Sequence, residues 1–343
     1  MEAKGLVRDY MGSGLGRDNC LDIIGLTRNQ FYYNLSGTKP GKGPSRHTIF
    51  RDPHTLEEEE IENTEVIKRI VEIKLNPDLS NWYKLITTSL QILGYFINHK
   101  KVYRLMFEFL LLEDKRNRKG REFVKYRRVT PRGPLRVIEM DIKYFWLHEK
   151  RRYAFVLSVI DTFTRYVLHW SAGYTMKSVQ VKQVWEYVVA HYLQSAGILS
   201  EDLDVDIVVR SDNGKQFNSK IMASFFEENS IRHEFTKPYT PEENGHVESF
   251  HNILGQSLKR DKFTSLKALE ERLKIFYKSY NNDRSHSGTK GVPPAKFWVL
   301  HELDKVEVIY LKNRAQKFTL KVAYQDILGL PDINKYQYRV NRV

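Results

Sequence analysis

The chain has 343 residues, 41% hydrophobic and 13% aromatic, enough for two or three domains with cores and too apolar for wholesale disorder. Lys and Arg number 55 against 42 Asp and Glu, and the net charge of +13 favours a polyanionic partner, nucleic acid first. The single cysteine, Cys20, excludes an internal disulfide framework and argues against a Cys-based zinc site; no apolar run approaches ~20 residues and no signal-peptide core opens the chain, so a soluble, intracellular protein without a membrane partner is expected.

Residues 1–38 are expected to form a helix-turn-helix unit. Arg17–Ile24 and Arg28–Leu35 read as short helices around Gly25-Leu26, with Thr27 as cap and Leu21, Ile24, Leu26, Phe31 and Leu35 inward. Arg28, Asn29 and Gln30 then stand at the start of the second helix, where a DNA reader presents its side chains. An ordinary helical hairpin fits the same residues. The Gly-, Pro- and Lys-rich stretch 37–56 reads as a linker. A second helical unit, 57–114, is expected to begin with an acidic helix start at Glu57–Glu60 and an amphipathic run from Val66 to Ile73. Helices around Trp82–Leu93 and Lys100–Leu112 follow. It would bind DNA, bind another subunit, or act as a spacer. Residues 115–135 form a basic linker, either merely solvated or tracking phosphates.

From 136 to 300 the pattern changes to strands at 136–147, 152–161 and 165–172, then a helix at 178–195 and a strand at 205–211. A helix at 219–229, a strand at 232–237 and helices at 243–260 and 265–281 complete it. Three hairpin-linked strands followed by helix–strand alternation predict an α/β domain, a mixed sheet flanked by helices. A small C-terminal β region, 301–343, is expected from Val306–Leu311, Lys317–Tyr324 and Tyr336–Val343.

Three acids carry the chemistry. Asp141 lies in the first strand of this domain, with Met140 and Ile142 on the opposite face and Glu139 on its own face as a competing carboxylate. Asp212 follows Ile207-Val208-Val209 and is expected at the strand's C-terminal end, where ligand sites of α/β sheets gather. Glu248 opens a helix whose buried stripe is Val247, Phe250, Leu254 and Leu258; Glu248, Asn252, Gly255 and Lys259 run one residue later along an adjoining face. Asn244-Gly245 is either the cap of that helix or a hinge. Oxygen donors without Cys or His suit Mg²⁺ or Mn²⁺, and two such ions clamp the attacking and leaving oxygens of a phosphodiester. Lys215, Asn252, Lys259 and Arg260 are the candidate DNA contacts around them. Asp161 also ends a strand, and Asp161-Thr-Phe-Thr is expected to organise a turn instead.

These local sequences resemble bacterial insertion-sequence transposases of the DDE superfamily, relatives of retroviral integrases. The carriers are Met140–Tyr144, Ser158–Tyr166 with Trp170, Ser211–Phe217, Lys237–Pro241, Asn244–Phe250, Tyr280–Ser287 and Pro293–Ala295, in order and spacing, over about 136–298. The resemblance implies an RNase H-like fold with Asp141, Asp212 and Glu248 as the metal-binding triad for two ions. It implies cleavage of transposon-end DNA by activated water, then joining of the 3′-hydroxyl to target DNA. A DNA-dependent homo-oligomer on double-stranded DNA, in the bacterial cytoplasm at the nucleoid, follows as well. The remaining readings are a nuclease of the same fold that does not join strands and a transposase-derived, non-catalytic DNA-binding protein. One departure stands out: a lysine often found two turns after the glutamate is replaced by Gly255, and Lys259 comes one turn later.

Overall fold

The computed structural model describes residues 2–32, 43, 45–113, 130–194, 206–237, 241–311 and 316–330. Contacts divide the chain into two units, 1–46 and 47–343. In the first, α1 (Glu2–Gly12) precedes the two expected helices, α2 (Arg17–Ile24) and α3 (Arg28–Tyr32). Gly25, at φ 71°, ends α2 in the left-handed conformation that a residue without Cβ adopts freely. Val7, Cys20, Leu21 and Phe31 bury the small core, with Ile24 and Leu26 against it. Leu35 lies outside the described residues.

The second unit begins with a correction. Within the expected linker, β1 (His47–Arg51) pairs antiparallel with β2 (Glu58–Glu62), so the acidic run is a strand and not a helix start. The register sets His47 opposite Glu62 and Arg51 opposite Glu58, and the opposite charges of Arg51 and Glu58 across the strand pair favour this ladder. The turn is closed by Asp52, whose Oδ1 accepts from the amides of His54 and Thr55. Then come α4 (Asn63–Leu75), α5 (Tyr83–Ile92), β3 (Tyr95–Phe96) on the free side of β1, and α6 (His99–Glu108). Val66, Ile70, Ile86, Leu90, Val102 and Leu105 form their core. Most of the basic linker, Lys115 to Arg128, lies outside the described residues; its end is held, with Leu135 N donating to Asp161 Oδ1 at 2.9 Å.

The main sheet contains β4 (Val137–Leu147), β5 (Arg152–Asp161), β6 (Val167–Gly173), β7 (Ile207–Ser211) and β8 (Ile231–Phe235). Its order is β6-β5-β4-β7-β8; the first three strands run antiparallel, and β7 and β8 run parallel to β4. This is the RNase H-like α/β arrangement. Ile138, Met140 and Ile142 face a core shared with α7 (Ser178–Val188) and α8 (Lys220–Glu228). The other face packs α9 (Gly245–Ser257) and α10 (Leu266–Asn282) through Val247, Phe250, Leu254, Leu273 and Phe276. Asp161 is fully buried and organises the expected turn, accepting from Thr164 N at 2.7 Å as well as from Leu135.

After α11 (Pro294–Glu302), the hairpin β9 (Val306–Tyr310) and β10 (Gln316–Leu320) forms the C-terminal β region. The strand expected at 317–324 stops at Leu320, and Tyr336–Val343 lies outside the described residues. Among the described residues no helix is long and apolar enough to cross a membrane.

The β1–α6 segment grips the main domain through a buried ion pair. Arg272 on α10 donates from Nη2 to Asp78 Oδ1 at 2.6 Å and from Nη1 to Oδ2 at 3.0 Å, and Ser257, the last residue of α9, donates to the same carboxylate. Asp78 is 4% exposed, so removing its partner strands a desolvated charge. Arg272→Ala is expected to cost about 2 kcal/mol in urea unfolding, below the usual loss for a broken buried pair because Arg272 keeps one edge in water.

Three histidines titrate low. Burial lowers His286 to about 3, and His169 and His233 to about 4; Arg284 and Arg165 add to the effect on His286, and His191 to that on His169. The unfolded chain therefore takes up protons near 6.5 that the folded chain refuses. Stability is expected to be fully present above about pH 6.5 and to fall as pH drops toward 4. Thermal midpoints measured across that range should show a shallower fall in His233→Gln.

Candidate active site

The residues of β4 alternate, and its α9-facing side carries Glu139, Asp141 and Lys143 in succession before Phe145 and Leu147 join the core. Three charged side chains in a row on the inward face of a central strand are costly to desolvate, so each requires a specific partner. Helix α9 brings these partners in step with the strand. Opposite Glu139 are the amides of His246 and Val247, which donate to its Oε2 at 2.9 and 2.8 Å. Opposite Asp141 is His251, with Nδ1 3.2 Å from Asp141 Oδ2. Opposite Lys143 is Gly255. Four helical residues rise about 6.0 Å and two strand residues about 6.6 Å, so the two ladders stay in register for three rungs.

Glu139, the other carboxylate on this face, has its Oε2 engaged by the start of α9. It is fully buried and satisfies two of the amides that the first turn of α9 leaves without helical acceptors. Burial pushes its carboxyl up to about 7, against the opposing pull of the Val247 and His246 amides and of Arg165 and Arg210. Asn244, the residue before α9, is buried beside this contact, which makes Asn244-Gly245 the start of a fixed helix.

Asp212 comes next to Asp141 through the sheet. The parallel pairing of β4 with β7 sets Glu139 opposite Arg210; two residues on, Asp141 continues β4 and Asp212 lies just past the end of β7. The Asp212 carboxyl is shifted upward first by burial and then by the nearby Asp141 charge, while the Gly214 amide, donating to its Oδ1 at 2.9 Å, pulls the other way. Glu248 sits one residue past the Val247 amide. Helical periodicity turns it to the side shared with His251 and Gly255, which meet β4. Among the described residues, no three His, Cys, Asp or Glu side chains are gathered closely enough to form a metal-binding group. The Asp141 charge reaches Asp212, and Glu248, half-buried, is in the first turn of α9.

The buried stripe of α9 is as expected, with Val247, Phe250, Leu254 and Leu258 all buried. Its length is not. The helix ends at Ser257, because the Ser257 hydroxyl is drawn to Asp78 and Leu258 turns into the core beside Phe263. Lys259 and Arg260 are therefore exposed in the following turn, and Lys259 does not continue the face of Glu248. Asn252 and Lys215 are exposed. In the N-terminal unit Asn29 is exposed, while the other two reader candidates have local partners. Gln30 Oε1 accepts from Thr27 N at 2.9 Å and Thr27 Oγ1 faces Gln30 N, a reciprocal cap. Arg28 pairs with Asp18, whose carboxyl the Arg17 and Arg28 guanidiniums hold down at about 2. His251 and Lys143 were not among the residues expected from sequence. Their signal was spacing: Lys143 is two strand residues from Asp141, and His251 is one helical turn from Glu248.

The order and directions of the strands are those of an RNase H-like core. Two integrase core domain models match the chain, over residues 131–241 and 229–294. More particularly, it is related to proteins of insertion sequences. It is 29% identical over 204 residues to a protein of insertion element IS476 from Xanthomonas euvesicatoria, a match that covers 59% of this chain and just over half, 55%, of that relative. It is 23% identical over 293 residues to InsK of insertion sequence IS150 from Escherichia coli K12, covering 82% of this chain and 92% of InsK. The catalytic core of BIV integrase is 20% identical, with coverage of 50% of this chain and 98% of that core and a TM-score of 0.36.

Proposed function

We propose that the chain is a DDE transposase that binds transposon-end DNA, cuts it and joins the freed 3′-hydroxyl to target DNA. The reading is supported by Asp141 on β4 and Asp212 just past the end of the parallel neighbour β7, with α9 docked against β4 through Val247 and His251, the helix that carries Glu248. The donor set is three carboxylates without a thiolate, which fits Mg²⁺ or Mn²⁺. Asp141, Asp212 and Glu248 would hold two such ions, whose chemistry is activation of water or a 3′-hydroxyl and charge neutralisation at the phosphodiester. The chain's own part is to orient. Glu139 fixes the start of α9, His251 steadies Asp141 when its Nδ1 carries the proton, and the Asp212–Gly214 turn aims the second carboxylate. Arg28, Asn29, Gln30, Lys215, Asn252, Lys259 and Arg260 are the proposed DNA contacts, and the working form is a homo-oligomer assembled on paired ends.

The test first searches the DNA flanking the coding region for terminal inverted repeats, which a transposase reading requires, and supplies them as pre-cut ends bearing a free 3′-hydroxyl, with Mg²⁺ and target plasmid. Joined products support the transposase reading. Cutting of uncut ends without joining would identify a nuclease, and DNA binding with neither reaction a non-catalytic binder.

A further inference from the structure

Lys143 presents a cation that the proposed triad does not use. It lies two residues beyond Asp141 on the same face of β4 and is only partly exposed. Its side chain extends across α9 at Gly255: a Cβ built there would stand 3.1 Å from Lys143 Cε and 3.3 Å from Nζ. A Cβ at 255 would make the lysine end give way by a few tenths of an ångström, so the glycine leaves the room in which it lies. Among the described residues the ammonium makes no hydrogen bond or ion pair; Asp141 acts on it only as a nearby charge. A half-buried ammonium without a fixed acceptor is costly to hold, and it is placed beside acids whose charge the proposed metal ions would take up.

We infer that Lys143 binds a non-bridging oxygen of a DNA backbone phosphate beside the acidic residues, and that Gly255 is the space that admits it. The inference rests on the DNA-processing reading above and adds a substrate contact to the same site. A plain counter-ion for Asp141 and Asp212 is the competing role, and the two differ without metal.

The experiment measures binding of the full chain to a short random-sequence DNA duplex in EDTA by fluorescence anisotropy over a range of salt concentrations. Each phosphate-neutralising cation contributes about 0.9 to the slope of log affinity against log salt. Lys143→Ala, and Lys143→Met, which keeps the apolar stem, should each lower that slope by about 1. Gly255→Lys in the Lys143→Ala background returns an ammonium to the same space and should restore it. Thermal midpoints of all variants identify any that fail to fold, and Lys143→Met is then decisive. An unchanged slope in Lys143→Met would overturn the inference in favour of the counter-ion. This assay contains no metal and reads no chemistry. Loss of strand joining in the earlier test would sink the transposase reading and leave this result standing, and the reverse also holds.

Discussion

Asp141→Asn, Asp212→Asn and Glu248→Gln should each lower strand cleavage and joining by at least about 10³-fold, the equivalent of several kcal/mol of lost transition-state stabilisation. Each exchange removes one charge and keeps the shape, so binding of end DNA in a gel-shift assay should stay near the wild-type level. The double variant Asp141→Asn/Asp212→Asn should be no worse than either single variant, since residues that act as a unit fail together. Near-normal joining by any of the three would remove that residue from the site. Asp212→Asn carries a second readout. Burial and the Asp141 charge work against its ionised form, so the neutral amide should raise the thermal midpoint in metal-free buffer. A gain in stability with a loss of chemistry is the signature of a functional residue.

Glu139→Ala should be the most damaging substitution outside the three acids. It strips the acceptor from two buried amides at the start of α9 and leaves a hole in the face of β4. A buried donor left without its acceptor costs about 1–3 kcal/mol, so a loss of about 4 kcal/mol for the two amides is expected in urea unfolding. Glu139→Gln keeps one carbonyl oxygen for the amides and should recover most of the stability. Activity separates fold from position: Glu139→Gln should join strands slowly while binding DNA normally, because Glu248 is one residue from the amide that Glu139 holds. Wild-type joining rates in Glu139→Gln would show that Glu248 finds its place without this contact.

Much of this architecture could be read from residue pattern. The alternation of β4 placed Met140 and Ile142 on one face and Asp141 on the other, and the i, i+3, i+7 stripe placed Val247, Phe250 and Leu254 in the core; both are strong periodic signals. Glu139 was legible as a neighbour of Asp141 and illegible as a cap, because its partners are backbone amides more than a hundred residues away, and amides have no sequence signature. The strand at Glu58–Glu62 was hidden for a related reason. Glutamate favours helices, and only pairing with His47–Arg51 makes four glutamates a strand. The early end of α9 depends on Asp78, which belongs to another part of the chain. Local propensity governed whatever was local, and the errors gathered where a distant residue decided the outcome.

The three-rung match between α9 and β4 constrains how this protein can change. Away from the rungs and Glu248, side chains along the two elements can be exchanged singly, but one residue inserted between Val247 and Gly255 would swing the later rungs by roughly 100° and carry Gly255 away from Lys143. Length here is therefore less forgiving than identity. A deletion scan through α9 should find function tied to turn count, as the bit of a key depends on the spacing of its teeth more than on the metal it is cut from.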